Sequence, residues 1–321
     1  MKILKLIFLL IISSEVYAQV ELHTLRIENQ NDLKEFFRYA PDRIPLVCAH
    51  RGGVKPGFPE NSIATFEYTL SQIPAFFEVD PRLTKDGVIV AFHDATLDKK
   101  TDGIGNLADH TWEEVQQLRL KDNNGNITPY KIHKLEEILQ WAKGKTILIL
   151  DKKDVPFDKL LTLIEANRAE SYVLISAYKL KEALYYHKRN PKLMFEAMIK
   201  DENVMEAYQK SGIPWQNIVA FTGQPLKPEL NAKLRAKGVM CMVSTMKFEE
   251  KLGSRGARAA GYKKLVENGI DVVLTDRAIE VSAVLKNNIS EESSKSKFFQ
   301  QATFNSGYTN VKEVKRKLIP K

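Results

Sequence analysis

From residue 44 to about residue 289, short apolar runs alternate with amphipathic stretches. Several runs end in groups that can do chemistry. Ile44 to Cys48 leads into His50, Phe76 and Phe77 into Glu78 and Asp80, Val88 to Phe92 into His93, and Thr146 to Leu150 into Asp151. Continuous apolar runs of this length read as buried parallel strands, not as half-exposed ones. Similar runs recur near 172–176, 192–197, 217–221, 239–245 and 271–275. Helical patterns lie between them; Ile63, Phe66, Leu70 and Ile73 share one face, with Asn61 or Ser62 as the cap. Strand-helix alternation over about 250 residues predicts an α/β fold, a (β/α)8 TIM barrel.

There are nine such runs for eight barrel positions, and 217–221 is read as the surplus one, beside the barrel. Val88 to Phe92 is taken as strand 3, although only thirteen residues separate Asp80 from His93. Extended backbone resolves this. Pro81 to Lys85 descends, Asp86-Gly87 turns, and Val88 to Phe92 climbs back, each leg covering roughly 20 Å. Residues 95–132, rich in Asp, Asn, Gly and Thr, are too long for an ordinary barrel loop. They predict a small insertion after strand 3, with one helical stretch near Thr111 to Leu118.

The ends read differently. Residues 1–18 have the form of a signal peptide: Lys2 and Lys5, the apolar run Leu6 to Ile12, then Val16-Tyr17-Ala18. That run is too short to span a membrane, and it predicts an exported protein, periplasmic or secreted. Residues 19–43 form an N-terminal extension whose patch 32–38 predicts a helix across the barrel's closed end, capped by Asn31 or Asp32. Residues 290–321 form a polar, basic tail. It opens on a linker-like stretch and carries Phe298, Phe299, Phe304 and Tyr308, enough aromatics to dock. The net charge of +8 is concentrated at the ends: the tail holds seven Lys or Arg against three Glu. The barrel is only mildly basic and lacks aromatic-basic interleaving, which argues against a nucleic-acid partner. Cys48 and Cys241 both lie in apolar runs and read as buried free thiols.

Glu78 and Asp80 are two apart on a strand, so they share a face. Close carboxylates raise each other's pKa unless a cation lies between them. Asp151 supplies a third oxygen at another strand end, and an all-oxygen set suits Mg²⁺ or Ca²⁺. His50 and His93 both end strands beside this cluster and read as an acid-base pair. Arg51 and Lys153 offer fixed positive charge for a phosphate. Glu60 is read as orienting His50 or the metal's waters, Asp276 as structural, and His23, His110, His133 and His187 as surface residues.

His50-Arg51-Gly52, Pro59-Glu60-Asn61, Glu78-x-Asp80, Leu83-Thr84-Lys85-Asp86-Gly87, His93-Asp94 and Asp151-x-Lys153, in this order and spacing, resemble the glycerophosphodiester phosphodiesterase family. The resemblance spans about residues 45–277, and it implies that 95–132 is a small capping insertion, a lid over the active-site mouth that shapes the alcohol pocket. It also implies a metal-dependent hydrolase acting on a small-molecule phosphodiester, with His50 and His93 catalytic. Glu78, Asp80 and Asp151 would be the metal ligands, and Arg51, Lys153 and Glu60 would lie at the substrate. The implied products are glycerol 3-phosphate and an alcohol. Rival readings are a phosphatidylinositol phospholipase C-like lyase that leaves a cyclic phosphate, and a catalytically silent phosphodiester-binding barrel. Where the family usually has Glu, this chain has Asp151.

Overall fold

The computed structural model describes residues 18–286 and 292–306. The leader as far as residue 17, the stretch 287–291 and Tyr308 lie outside the described residues. The chain enters through β1 (Ala18–Leu25) and α1 (Gln30–Phe37), then lays down β2 (Leu46–His50), α2 (Ile63–Leu70) and β3 (Phe76–Val79). An excursion follows, with β4 (Pro81–Leu83), β5 (Ile89–Ala91), α3 (Trp112–Val115), β6 (Arg119–Lys121) and β7 (Ile127–Lys131). Regular alternation resumes with α4 (Leu135–Ala142), β8 (Leu148–Leu150), α5 (Phe157–Ala166), β9 (Val173–Ala177), α6 (Leu180–Arg189), β10 (Met194–Met198) and α7 (Glu202–Lys210). It ends with β11 (Ile218–Phe221), α8 (Pro228–Arg235), β12 (Cys241–Ser244), α9 (Met246–Lys251), α10 (Arg255–Glu267), β13 (Val272–Thr275), α11 (Ala278–Leu285) and β14 (Phe299–Ser306).

β2, β3, β8, β9, β10, β11, β12 and β13 pair in parallel in that order and close on themselves, the expected (β/α)8 barrel. Two sequence assignments are corrected. The 218–221 strand belongs to the barrel, between β10 and β12. The surplus run is 89–91, which pairs antiparallel with β4 in a hairpin of its own. The insertion therefore leaves after the second barrel strand, at Pro81, not after the third. Both runs are apolar because both are buried: the first in the barrel, the second with Ile89 and Ala91 in the main core and Val90 in the insertion's own core with Phe92, Leu97, Leu107, Val115, Leu120 and Ile132. Composition cannot separate the two cases. The descending and climbing legs are present nonetheless. The hairpin register sets Pro81 opposite Ala91, and Phe92 N donates to Asp80 O at 2.8 Å.

Parity decides what reaches the open rim. In β2, Val47 and Ala49 join the layer under the helices, while Leu46 and Cys48 join the barrel interior and His50 continues their row. In the same way Phe76 leads to Glu78 and Asp80, Ile147 and Ile149 to Asp151, Leu174 to Ser176, Met194 to Glu196, and Val272 and Leu274 to Asp276. Period-two alternation thus turns the apolar plug into a polar floor at the strands' C-terminal ends. Both cysteines are buried and free, Cys48 inside the barrel and Cys241 outside it.

The opposite end is plugged. α1 is capped by Asn29, ahead of the expected Asn31 or Asp32, because Asp32 reaches back to the Asn29 N–H in a capping box. Leu33, Phe36 and Phe37 fill the barrel floor, and Phe298 packs edge-on against Phe36 with centroids 5.5 Å apart. Asp271, fully buried, takes Arg43 Nε at 2.5 Å and Arg235 Nη2 at 2.6 Å, tying the N-terminal extension to the last strands. β14 runs antiparallel to β1 along its whole length, and Ser306 Oγ donates to the buried Glu67 of α2 at 2.6 Å. Residues 292–306 are thus docked, as the aromatics Phe298, Phe299 and Phe304 allowed, against the edge of β1 and the closed end of the barrel. Phe298→Ala should lower the unfolding free energy by about 3–5 kcal/mol, read from the denaturant midpoint. The kcat of the folded protein should be unchanged, because the ring sits at the end away from the rim.

Candidate active site

The loop after β2 is shaped before any chemistry is placed on it. Arg51 and Asn61 both adopt the left-handed region, with φ of 52° and 56°. For residues with a Cβ this costs of order 1 kcal/mol each. Gly52, at φ 99°, could carry no Cβ: one would lie 2.8 Å from Thr65 Cγ2 and 2.9 Å from Phe66 Cδ1 of α2. Backbone bonds hold the turn, Arg51 N to Glu78 O at 3.1 Å and Asn61 N to Arg51 O at 2.9 Å. The Asn61 amide donates to Asp80 Oδ2 at 2.7 Å, and its carbonyl accepts from Asp80 N at 3.1 Å.

Glu78, Asp80 and Asp151 are all buried, and each offers an oxygen within 4.8 Å of the others. Two cations face them. Arg51 Nε lies 3.1 Å from Asp80 Oδ2, and Lys153 Nζ lies 3.0 Å from Asp80 Oδ1 and hydrogen-bonds Asp151. Neither contact to Asp80 is well aligned: Arg51 Nε and Asp80 Oδ1 are both buried without a hydrogen bond among the described residues. Burial drives the Asp80 carboxyl up, but Arg51 and Lys153 outweigh it and hold the group below its ordinary value. For Glu78 the balance is reversed. Burial first, then the Asp80 and Asp151 charges, push its carboxyl well above the usual range despite Arg51 and Lys153. With all three ionised, the two cations would leave one buried negative charge uncompensated, which is why the Glu78 carboxyl is driven up. An oxygen-only cluster with a spare charge and an orphaned Asp80 oxygen fits a hard divalent cation.

Each histidine is held by a carboxylate. His50 Nδ1 is 2.7 Å from Asp276 Oδ1, and His93 Nδ1 is 2.7 Å from Asp94 Oδ1. A carboxylate only accepts, so each Nδ1 carries the proton and donates it, leaving Nε2 as the free basic nitrogen. His50 Nε2 lies 3.8 Å from Glu78 Oε2, facing the cluster. His93, off the barrel sheet, is braced by Arg82 Nε, which donates to its carbonyl at 2.6 Å while Arg82 Nη1 pairs with Asp154 at 2.8 Å. The loops bearing His93 and Lys153 are thus joined.

The structure brings all eight sequence-predicted site residues to this rim, with one change of contact. Glu60 accepts from Arg51 Nη1 at 3.1 Å and from Lys100 Nζ at 2.8 Å, so it bears on Arg51 and not on His50. Asp276, read as structural, is the partner of His50. His133, read as a surface residue, is buried against Glu137. Tyr178 went unnoticed; its hydroxyl donates to Asp151 Oδ1 at 2.6 Å. Parity could have found it, since it continues the inward row of Leu174 and Ser176. Below the cluster, Glu196 accepts from Ser176 Oγ. Burial drives its carboxyl up to about 7, with the Asp151 charge adding to the rise.

A rim of this kind can hold a phosphate between fixed cations while protons move on both sides, and the class it defines is the phosphodiester-cleaving α/β barrel. The model of the glycerophosphoryl diester phosphodiesterase family matches residues 50–280. A solved glycerophosphoryl diester phosphodiesterase from Parabacteroides distasonis is 48% identical, with a TM-score of 0.85 over 88% of this chain and 100% of that one. A glycerophosphodiester phosphodiesterase from Caldanaerobacter subterraneus is 28% identical over 247 residues, 72% of this chain and 93% of the relative. A phosphodiesterase from Oleispira antarctica, solved with the product sn-glycerol-3-phosphate, shares the fold at 20% identity and a TM-score of 0.60, over 76% of this chain and 97% of that one. The chain belongs to the glycerophosphoryl diester phosphodiesterase family.

Glu196 gives a pH test. Its folded value of about 7 lies above the ordinary 4.5. Between those limits the unfolded chain releases a proton that the folded one keeps, so stability falls as pH rises through the window. Glu196→Gln should be more stable than wild type by on the order of 1–3 kcal/mol near pH 8. The difference should fade toward pH 4.5, the ordinary value, when denaturation is compared across that range.

Proposed function

We propose that the protein hydrolyses glycerophosphodiesters to glycerol 3-phosphate and an alcohol, with Mg²⁺ or Ca²⁺ held by Glu78, Asp80 and Asp151. The observation that carries this reading is the pairing of both histidines, through Nδ1, with carboxylates at 2.7 Å beside a buried three-carboxylate cluster. It leaves two basic Nε2 atoms on one rim. When bound, the divalent cation supplies Lewis-acid stabilisation of charge on the phosphoryl oxygens.

The chain's own residues do the rest. Arg51 and Lys153 clamp the phosphoryl group, and both remain charged because the neighbouring carboxylates offset the cost of their burial. These fixed cations face the charge that grows as the ester bond breaks. His50 and His93 divide the proton transfers: one Nε2 takes a proton from the attacking oxygen, and the other returns one to the leaving alkoxide. Asp276 and Asp94 hold the rings in the tautomer this requires and favour the imidazolium that forms. The glycerol 3-phosphate bound to the Oleispira relative supports the assignment of the product.

We also infer export, to the periplasm or the exterior. Residues 1–18 support this by their composition, and cleavage after Ala18 would leave Gln19 at the start of β1. Among the described residues no helix is long and apolar enough to cross a membrane.

The test is phosphorus NMR of the products from a panel of glycerophosphodiesters with the divalent cation present. Glycerol 3-phosphate is expected. A persistent cyclic phosphate would turn the reading into that of a lyase, and no turnover of any member would overturn it. His50→Ala and His93→Ala should each lose roughly 10²–10⁴-fold in kcat; near-wild-type turnover in either removes that histidine from the mechanism.

A further inference from the structure

The insertion is not a loose cover. Its β6–β7 turn is stapled to the loop before α2, where Asp122 Oδ2 accepts from Gly57 N at 2.8 Å. Phe58 of that loop lies between Tyr68 and Tyr130 of the insertion's β7, with centroids 4.5 and 6.1 Å away. A third contact enters the site. Lys100 Nζ donates to Glu60 Oε2 at 2.8 Å and to Asn123 Oδ1 at 3.0 Å, while the other Glu60 oxygen accepts from Arg51 Nη1 at 3.1 Å. The Lys100 backbone is fixed as well, since its carbonyl accepts from Lys121 N of β6 at 2.7 Å.

This chain of contacts has an electrostatic consequence. Arg51 paired with Glu60 alone is neutral, and the carboxylate competes with an incoming phosphate for the guanidinium. Lys100 takes one Glu60 oxygen and makes the trio net positive. The side chains are about four-fifths buried or more, with exposures of 21% for Lys100, 12% for Glu60 and 18% for Arg51. Screening is weaker there than for a surface pair. Arg51 Nε already faces Asp80 Oδ2 at 3.1 Å, so the guanidinium lies between two carboxylates and the Lys100 charge offsets one of them. We propose that Lys100 is a positioning residue for Arg51: through Glu60, the insertion orients the guanidinium and sets the net charge of that arm of the phosphate clamp. This rests on the phosphate-binding role proposed for Arg51.

The experiment uses the full chain with the divalent cation present, and the variants Lys100→Met, Lys100→Gln and Lys100→Arg. Kinetics on a soluble glycerophosphodiester are read beside calorimetric binding of sn-glycerol 3-phosphate and of inorganic phosphate. In Lys100→Met, KM and both Kd values should rise roughly tenfold, the scale of one charge-assisted hydrogen bond, while kcat changes far less. Lys100→Gln, which keeps a donor without the charge and is the fallback if the Met variant misfolds, should show the same direction. Lys100→Arg should restore binding. In a Glu60→Gln background the Lys100→Met effect should shrink, because the two act through one contact. Unchanged KM and Kd in Lys100→Met or Lys100→Gln, or effects that add fully to those of Glu60→Gln, would overturn the proposal. If wild type binds phosphate but turns nothing over, the hydrolase reading fails while the Kd values still decide on Lys100. If wild type binds no phosphate, both fall.

Discussion

Asp80 is a buried carboxylate held between two cations that arrive from different strand ends, and the open rim is built around that contact. Arg51 reaches it only because its own backbone turns left-handed and Gly52 leaves room for α2 beneath. Asn61 reaches it from the far side of the same loop with both ends of its amide. Lys153 comes from the loop after β8 and shares itself between Asp80 and Asp151. Even the histidine carried by the insertion is registered to it, through the bond from Phe92 N to Asp80 O that closes the hairpin. The arrangement neutralises Asp80 and leaves Glu78 short of positive charge. That asymmetry is a reason to expect a divalent cation there, because replacing one partner of a buried charge set is costly unless another charge takes its place.

The two ends of the barrel divide the work. At the closed end α1, Phe298 and the Arg43–Asp271–Arg235 contact fill and lock the interior. Above this plug the inward rows change from leucine, methionine and valine to glutamate, aspartate and histidine, with Glu196 and Ser176 between the apolar plug and the rim. A rigid base allows the rim to carry two left-handed residues and a buried charge cluster, each of which is unfavourable alone. The insertion extends this rigidity over the mouth, since it has a core of its own and is fastened to the loop that follows Arg51.

Much of this was legible because parity is a strict rule in strands. Once Val47, Phe77 and Ile149 were recognised as strand residues, the inward row had to end in His50, Glu78, Asp80 and Asp151. The same rule extended by one step would have found Tyr178 and assigned Asp276 to the rim. Legibility failed where burial has more than one cause. Residues 88–92 and 217–221 are equally apolar, yet one run lines the insertion and the other the barrel, a difference carried by strand partners distant in sequence. Glu60 could be located but its contacts could not, because Lys100 comes from an irregular turn with no periodicity to direct it. The aromatics of 292–306 announced that it docks but not where, because its partners, β1 and α1, lie more than 250 residues away in sequence.

On the proposed reading, Glu78, Asp80 and Asp151 form one cation site whose charge the protein leaves open. Calorimetric titration of chelator-treated protein with Mg²⁺, and separately with Ca²⁺, tests it most directly, with Asp80→Asn as the comparison and circular dichroism to show that the variant is folded. One saturable site per chain is expected for at least one of the two ions, lost or strongly weakened in Asp80→Asn. No saturable binding of either ion, or binding that Asp80→Asn leaves intact, would contradict it.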